Sequence, residues 1–182
     1  FFFKQKTAYE IYQCDWSSDV CSSDLGLKVI GTASSDAGVE LLKKEGADLV
    51  TGHLSSDAEA AAIITGLVPE GVDLIIEMLA NANLASDFDV LKKFGRICVV
   101  GNRGSLDFNP RLIMGKEATV TGMTLPSAPP DAVAEIRDAI FRSLSTGDLR
   151  PIVSRRFSLA EAPAAHHAVI EDKAQGKIIL VP

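Results

Sequence analysis

The residues able to do chemistry in this 182-residue chain are few, and they sit at the ends of short apolar runs. Ser34 follows the run at 28–33 and His53 the run at 48–51. Asn81 and Asn83 follow the run at 73–79, and Gly101-Asn102-Arg103-Gly104 closes the run at 96–101. Hydroxyl, imidazole, amide and guanidinium groups give and accept hydrogen bonds, and glycine lets a backbone come close to a ligand. Such a set holds and orients a ligand. Groups spaced for acid–base or nucleophilic work are missing. His166-His167 has no acidic or thiol partner at ligand spacing and reads as helix surface. Cys14 and Cys21 have no nearby histidine or second cysteine pair to make a zinc site, and Cys98 lies inside the apolar run Ile97-Cys98-Val99-Val100 as a small buried hydrophobe. Three cysteines make no disulfide framework, since one is left over. Glu77 ends an apolar run and is given no catalytic role. No catalytic residue and no metal site can be named.

The elements that must position these residues alternate in type. Strands are predicted at 28–33, 48–51, 73–79 and 96–101, and helices at 37–45, 57–67 and 84–93. Ser34-Ser35-Asp36 and Ser55-Ser56-Asp57 supply the N-caps. Strands alternating with helices through short loops give an α/β fold, a doubly wound parallel sheet covered on both faces. Right-handed crossovers bring the strand carboxyl ends to one edge, where open α/β sheets bind ligands. That edge carries Ser34, His53, Asn81, Asn83 and the loop at 101–104. Further on come a helical turn at 110–116 and an alternating strand at 118–125. A long helix at 131–146 carries Val133, Ile136, Ile140 and Leu144 on one stripe. Gly147 stops it, 151–159 is extended, 160–174 is helical and 177–181 closes as a strand.

Composition, 47% hydrophobic and 23% charged, fits one ordinary globular domain. The first 25 residues hold two lysines and four acids, so the net charge of −6 becomes −4 without them. A mildly acidic chain with no basic stripe makes nucleic acid a poor partner. No apolar run approaches the roughly 18 residues that span a bilayer, and Phe1-Phe2-Phe3-Lys4 adjoins no signal-like core. Cytosol is the default location. Composition changes abruptly at Leu25. The segment before it holds both tyrosines, the tryptophan and two of the three cysteines. It shows no sustained period, and it resembles the translation of a sequencing-library adapter. It is expected to be foreign to the fold and unstructured.

From Gly26 to Pro182 other residues carry a second resemblance. They are Gly26-Leu27-Lys28-Val29-Ile30-Gly31-Thr32-Ala33, Glu45-Gly46-Ala47-Asp48 and Asp73-Leu74-Ile75-Ile76-Glu77-Met78-Leu79-Ala80-Asn81. Val99-Val100-Gly101, Asn109-Pro110-Arg111 and Gly176-Lys177-Ile178-Ile179-Leu180 extend it. This part resembles the C-terminal half of the medium-chain dehydrogenase/reductase family, in its zeta-crystallin-type NADPH:quinone reductase branch. The resemblance implies a Rossmann-like domain that lacks its first βα unit, plus a C-terminal segment of the catalytic domain. The implied divisions are 1–25, foreign; 26–147, partial dinucleotide-binding domain; and 148–182, returning to the catalytic domain. Such a domain begins with a strand, a G-x-G-x-x-G turn and a helix whose N-terminus receives the pyrophosphate. No such motif is present. The chain as written is therefore expected to bind a dinucleotide poorly, since charge-assisted hydrogen bonds are worth about 1.5–3 kcal/mol each.

The resemblance also implies a cofactor site. Ser34 lines the adenosine ribose and His53 lies beside the adenosine end. Asn83 contacts the cofactor, while Asn81 is open to a second reading as a helix cap. Val100, Gly101, Asn102 and Arg103 form the loop beside the nicotinamide half, which Met123, Thr124 and Leu125 face through their backbone. Arg103 reads equally as a solvated loop residue, His53 has a second reading as a surface histidine at a strand end, and residues 123–125 also read as plain strand. The strand end before Ser34 carries no acid to repel a 2′-phosphate, which leans toward NADPH. The implied activity is reduction of a quinone or related conjugated carbonyl (an enone, for example) without zinc, by a cytosolic homodimer that pairs through the strand at 118–125. The alternatives are another member of the same family (a zinc-independent alcohol dehydrogenase or an enoyl reductase), a non-catalytic crystallin-like protein, or an inactive fragment.

Overall fold

The computed structural model describes residues 9–13, 27–33, 35–52, 57–124, 127–171 and 176–182. Six parallel strands form one sheet in the order β3-β2-β1-β4-β5-β6. They are β1 (Tyr9–Gln13), β2 (Lys28–Ala33), β3 (Leu49–Gly52), β4 (Val72–Glu77), β5 (Leu91–Val99) and β6 (Thr119–Gly122). The order reverses between β1 and β4, as in doubly wound dinucleotide-binding folds.

Strand β2 was legible because Val29 and Ile30 are wholly buried, as in a strand covered on both faces. Helix α1 (Asp36–Lys44) follows it, its N-terminus capped by Ser35, whose Oγ accepts from Gly38 N at 3.2 Å. Asp36 in the first turn and Lys43 and Lys44 in the last suit the helix dipole. A Cβ on Gly31 would stand 3.0 Å from Leu42 Cδ1, so glycine in β2 lets α1 lie close on the sheet. Helix α2 (Asp57–Leu67) and helix α3 (Ala80–Val90) close the core. Ile30, Ile64, Val68, Val72, Ile75, Phe88, Val90, Leu91 and Ile97 pack together there. Phe88 stacks obliquely on Phe108, with ring centroids 5.7 Å apart.

Two expectations are corrected here. Residues 9–13 are not unstructured, because Tyr9–Gln13 pairs with β2 on one side and β4 on the other. The gap between those strands presents a row of backbone donors and acceptors on each side, and pairing with them does not depend on side-chain identity. The second correction concerns the helix expected at 84–93, which runs instead from Ala80 to Val90. Leu91 already pairs with Val72, residues 92–95 loop out opposite Asp73, and pairing resumes at Leu74–Arg96. Phe94 in that bulge has a left-handed φ of 65° and is largely exposed.

After helix α4 (Arg111–Lys116) and edge strand β6 comes helix α5 (Pro130–Thr146), which Gly147 ends at φ 79°. A separate two-stranded parallel sheet joins β7 (Val153–Ser158) to β8 (Lys177–Val181), with helix α6 (Ala162–Glu171) between them in sequence.

Candidate functional site

All six strands run the same way, so their carboxyl ends share one rim. The register fixes how level that rim is. Ala33 stands beside Gly52, Gln13 beside Thr32, Glu77 beside Val99, and Val99 beside Gly122. Residues leaving β4, β5 and β6 therefore emerge at one height, in the half of the rim that runs from the strand-order reversal at β1–β4 out to the sheet edge.

Hydrogen bonds tie the β4 and β5 exits together. The carbonyl of Glu77 accepts from both Val100 N (2.8 Å) and Gly101 N (3.1 Å), and Gly101 O accepts from Ala80 N (3.0 Å). Asn81 Oδ1 accepts from Arg103 N at 2.8 Å. The side chain of Glu77 turns inward, only 1% exposed, and its Oε1 accepts from Leu79 N and from Asn83 Nδ2, the latter at 3.2 Å. Helix α3 begins at Ala80 with Leu79 as its cap residue, which has no capping side chain of its own. Glu77, two residues upstream of that cap, satisfies its N–H.

Of the residues singled out from the sequence, Ser34, His53 and Leu125 lie outside the described residues. Val100, Asn102 and Arg103 are exposed beside the partly covered Gly101, all on the rim. Asn102 Nδ2 closes a turn onto Gly104 O at 2.7 Å. Met123 is placed by its N–H, which donates to Val99 O at 3.0 Å, and Thr124 Oγ1 lies 2.9 Å from Ser127 Oγ. Asn83 is set back from this surface. It is 7% exposed and gives its side-chain amide to Glu77. Asn81 is a bridge between loops rather than a helix cap. Glycine at 101 is also required within the chain, since a Cβ there would stand 2.0 Å from Met78 O. The close approach is of one loop to the other. For Glu77, which the sequence shows as an acid ending an otherwise apolar strand, the role missed is that of a tie between the two exits.

Among the described residues no group of three or more His, Cys, Asp or Glu side chains is arranged to hold a metal ion. No described helix is long and apolar enough to cross a membrane.

An open parallel sheet of this order, with loops gathered beside its reversal, defines the nucleotide-binding class of α/β domains. The model of the family described as zinc-binding dehydrogenase matches residues 20–142. The chain belongs to that family, within the medium-chain dehydrogenase/reductases. It is 37% identical over 157 residues to the quinone oxidoreductase of Rattus norvegicus, covering 86% of this chain and 47% of the relative. The corresponding human protein is 36% identical over 158 residues, at 86% and 47% coverage. The chain thus spans about half the length of these curated relatives. The fold is also that of the quinone oxidoreductase of Thermus thermophilus, which was solved alone and with NADPH. That likeness has a TM-score of 0.82 at 22% identity, covering 97% of this chain and 58% of the other.

Proposed function

We propose that this chain is part of an NADPH-dependent oxidoreductase that reduces quinones or related conjugated carbonyls, and that its sheet rim receives the nicotinamide half of the cofactor. The level set of strand ends carries this reading, because it brings residues 100–103 and 123–124 to one height on the half of the rim that follows the strand reversal. The rat and human relatives, both quinone oxidoreductases, support the substrate class. The NADPH complex of the Thermus protein supports the cofactor.

The exposed loop groups fit a polar ring and its amide: Asn102 and Arg103 offer donors, and Gly101 holds its neighbours at a fixed height. The pyrophosphate end does not fit. Between Gln13 and Gly26 there is no glycine, and Asp15, Asp19 and Asp24 are acids. Such folds offer the backbone N–H groups of a glycine-rich turn after their first strand, and the sequence carries no such turn there. Residues 1–25 are therefore read as foreign to the domain, with residues 9–13 filling a strand position but bringing no phosphate loop. The ligand-facing set is Val100, Gly101, Asn102, Arg103, Met123 and Thr124, with Ser34, His53 and Leu125 carried over from the sequence and Asn83 acting behind the rim. The same proposal divides the domain near residue 147 and returns 148–182 to the catalytic domain of the whole protein. It also makes that protein a cytosolic homodimer paired through edge strand β6.

Amide shift mapping with NADPH and NADH tests the reading. NADPH is expected to move the amides of Val100, Gly101, Arg103, Met123 and Thr124 at millimolar concentration, and NADH to move them less. Shifts confined to the β7–β8 unit, or no shifts at all, would overturn it.

A further inference from the structure

We propose that Glu77 is a positioning residue that clamps the β4–α3 turn onto the β5 exit and so sets the height of residues 100–103. Its relevance to a cofactor rests on the reading above; the clamp itself does not.

Glu77 works from both its ends. Its carbonyl takes two consecutive N–H groups of the β5 exit, Val100 and Gly101, and its carboxyl oxygen takes Leu79 N and the Asn83 amide on the β4 side. One residue thus holds four donors from two chain segments. A buried acid is costly unless its acceptor capacity is used, and this one is used to organise a turn that lacks a capping side chain of its own. The remaining ties, Ala80 N to Gly101 O and Arg103 N to Asn81 Oδ1, extend the seam outward to exposed residues. The absence of a Cβ at 101 lets the two turns come this close. Asn83 then serves the clamp, which accounts for its burial better than a ligand contact does.

Glu77→Gln keeps a carbonyl oxygen for both side-chain bonds, while Glu77→Leu removes it. Hydrogen exchange of the 182-residue chain, read amide by amide, separates the clamp from general stability. Glu77→Leu is expected to speed exchange at Leu79, Val100, Gly101 and Arg103 by on the order of tenfold or more, with Val29, Ile30 and Ile97 unchanged and Glu77→Gln close to the parent. Should the leucine variant fail to fold, Asn83→Ala removes one donor and is expected to loosen the same four amides by a smaller factor. Equal acceleration across the core, or rim amides within twofold of the parent in both Glu77→Leu and Asn83→Ala, would overturn the proposal. If the rim loosens as expected while the parent chain gives no NADPH shifts, the clamp stands and the cofactor reading fails.

Discussion

The sheet domain and the segment after residue 130 use similar apolar side chains to opposite effect. In the sheet, Val29, Ile30, Val72, Ile75 and Ile97 are at most 1% exposed. In helix α5, Val133, Ile136, Ile140, Phe141 and Leu144 form a stripe that stays 37–60% exposed. Around β7 and β8, Leu159, Val169 and Ile170 are also open to solvent, and only Ala165, Ala168 and Gly176 are buried among the described residues. Hydrophobic pattern alone cannot separate these cases, because a stripe records that a helix can be covered and not what covers it. The difference teaches where this polypeptide is self-sufficient. Its rim is tied together by its own backbone and side-chain hydrogen bonds, whereas its last fifty residues hold apolar surface in reserve.

The largest effect expected from that contrast is a matched pair of truncations. Phe88→Ala, in the core, should cost about 3–5 kcal/mol by opening a cavity. Phe141→Ala, on the open stripe, should stay within about 0.5 kcal/mol. Urea midpoints of the two variants would collapse the comparison if they shifted alike. Next comes Gly101→Ala, where the added methyl meets Met78 O and should cost about 1–3 kcal/mol. Its amide shifts should change from Met78 to Arg103 and nowhere in β7 or β8. A smaller gain is expected from Phe94→Gly, which relieves a left-handed aromatic residue and should raise stability by about 0.5–1 kcal/mol, measured by thermal unfolding.

The smallest effect sharpens the other side of the contrast. A backbone hydrogen bond from Ser158, followed by one from its hydroxyl, holds the carboxyl of Glu161 below its ordinary value of 4.5. Its folded-state value being depressed, the contribution of this capping box is present above pH 4.5 and lost as pH falls through the lowered value. The Ser158 amide resonance should report that loss below pH 4.5, with the core resonances unmoved, and a titration centred above 4.5 would contradict it.

Most of the sheet was legible because local signals agreed with burial. Lys28–Ala33 was read to the residue, and α1 and α5 to within one at each end. Misreadings arose where a partner distant in sequence decides the outcome. Helix α3 starts early because Glu77 takes the Leu79 N–H, and it stops early because Leu91 leaves to pair with Val72. Helix propensity carries neither fact. The sequence singles out the glycine at 101 and the two asparagines as ligand-side or capping residues, but their spacing cannot show that Met78, Arg103 and Glu77 are the groups they meet within the chain. Tyr9–Gln13 was passed over because five residues in an unpatterned stretch give no signal until a gap between β2 and β4 exists to receive them.

That placement at the centre of the sheet has a practical consequence for anyone trimming the chain. Cutting away its first thirteen residues would remove no recognisable motif, yet it would leave β2 and β4 facing each other across a missing rung. Each would then offer a bare ladder to any extended peptide nearby, so the shortened protein is expected to be stickier than the full chain.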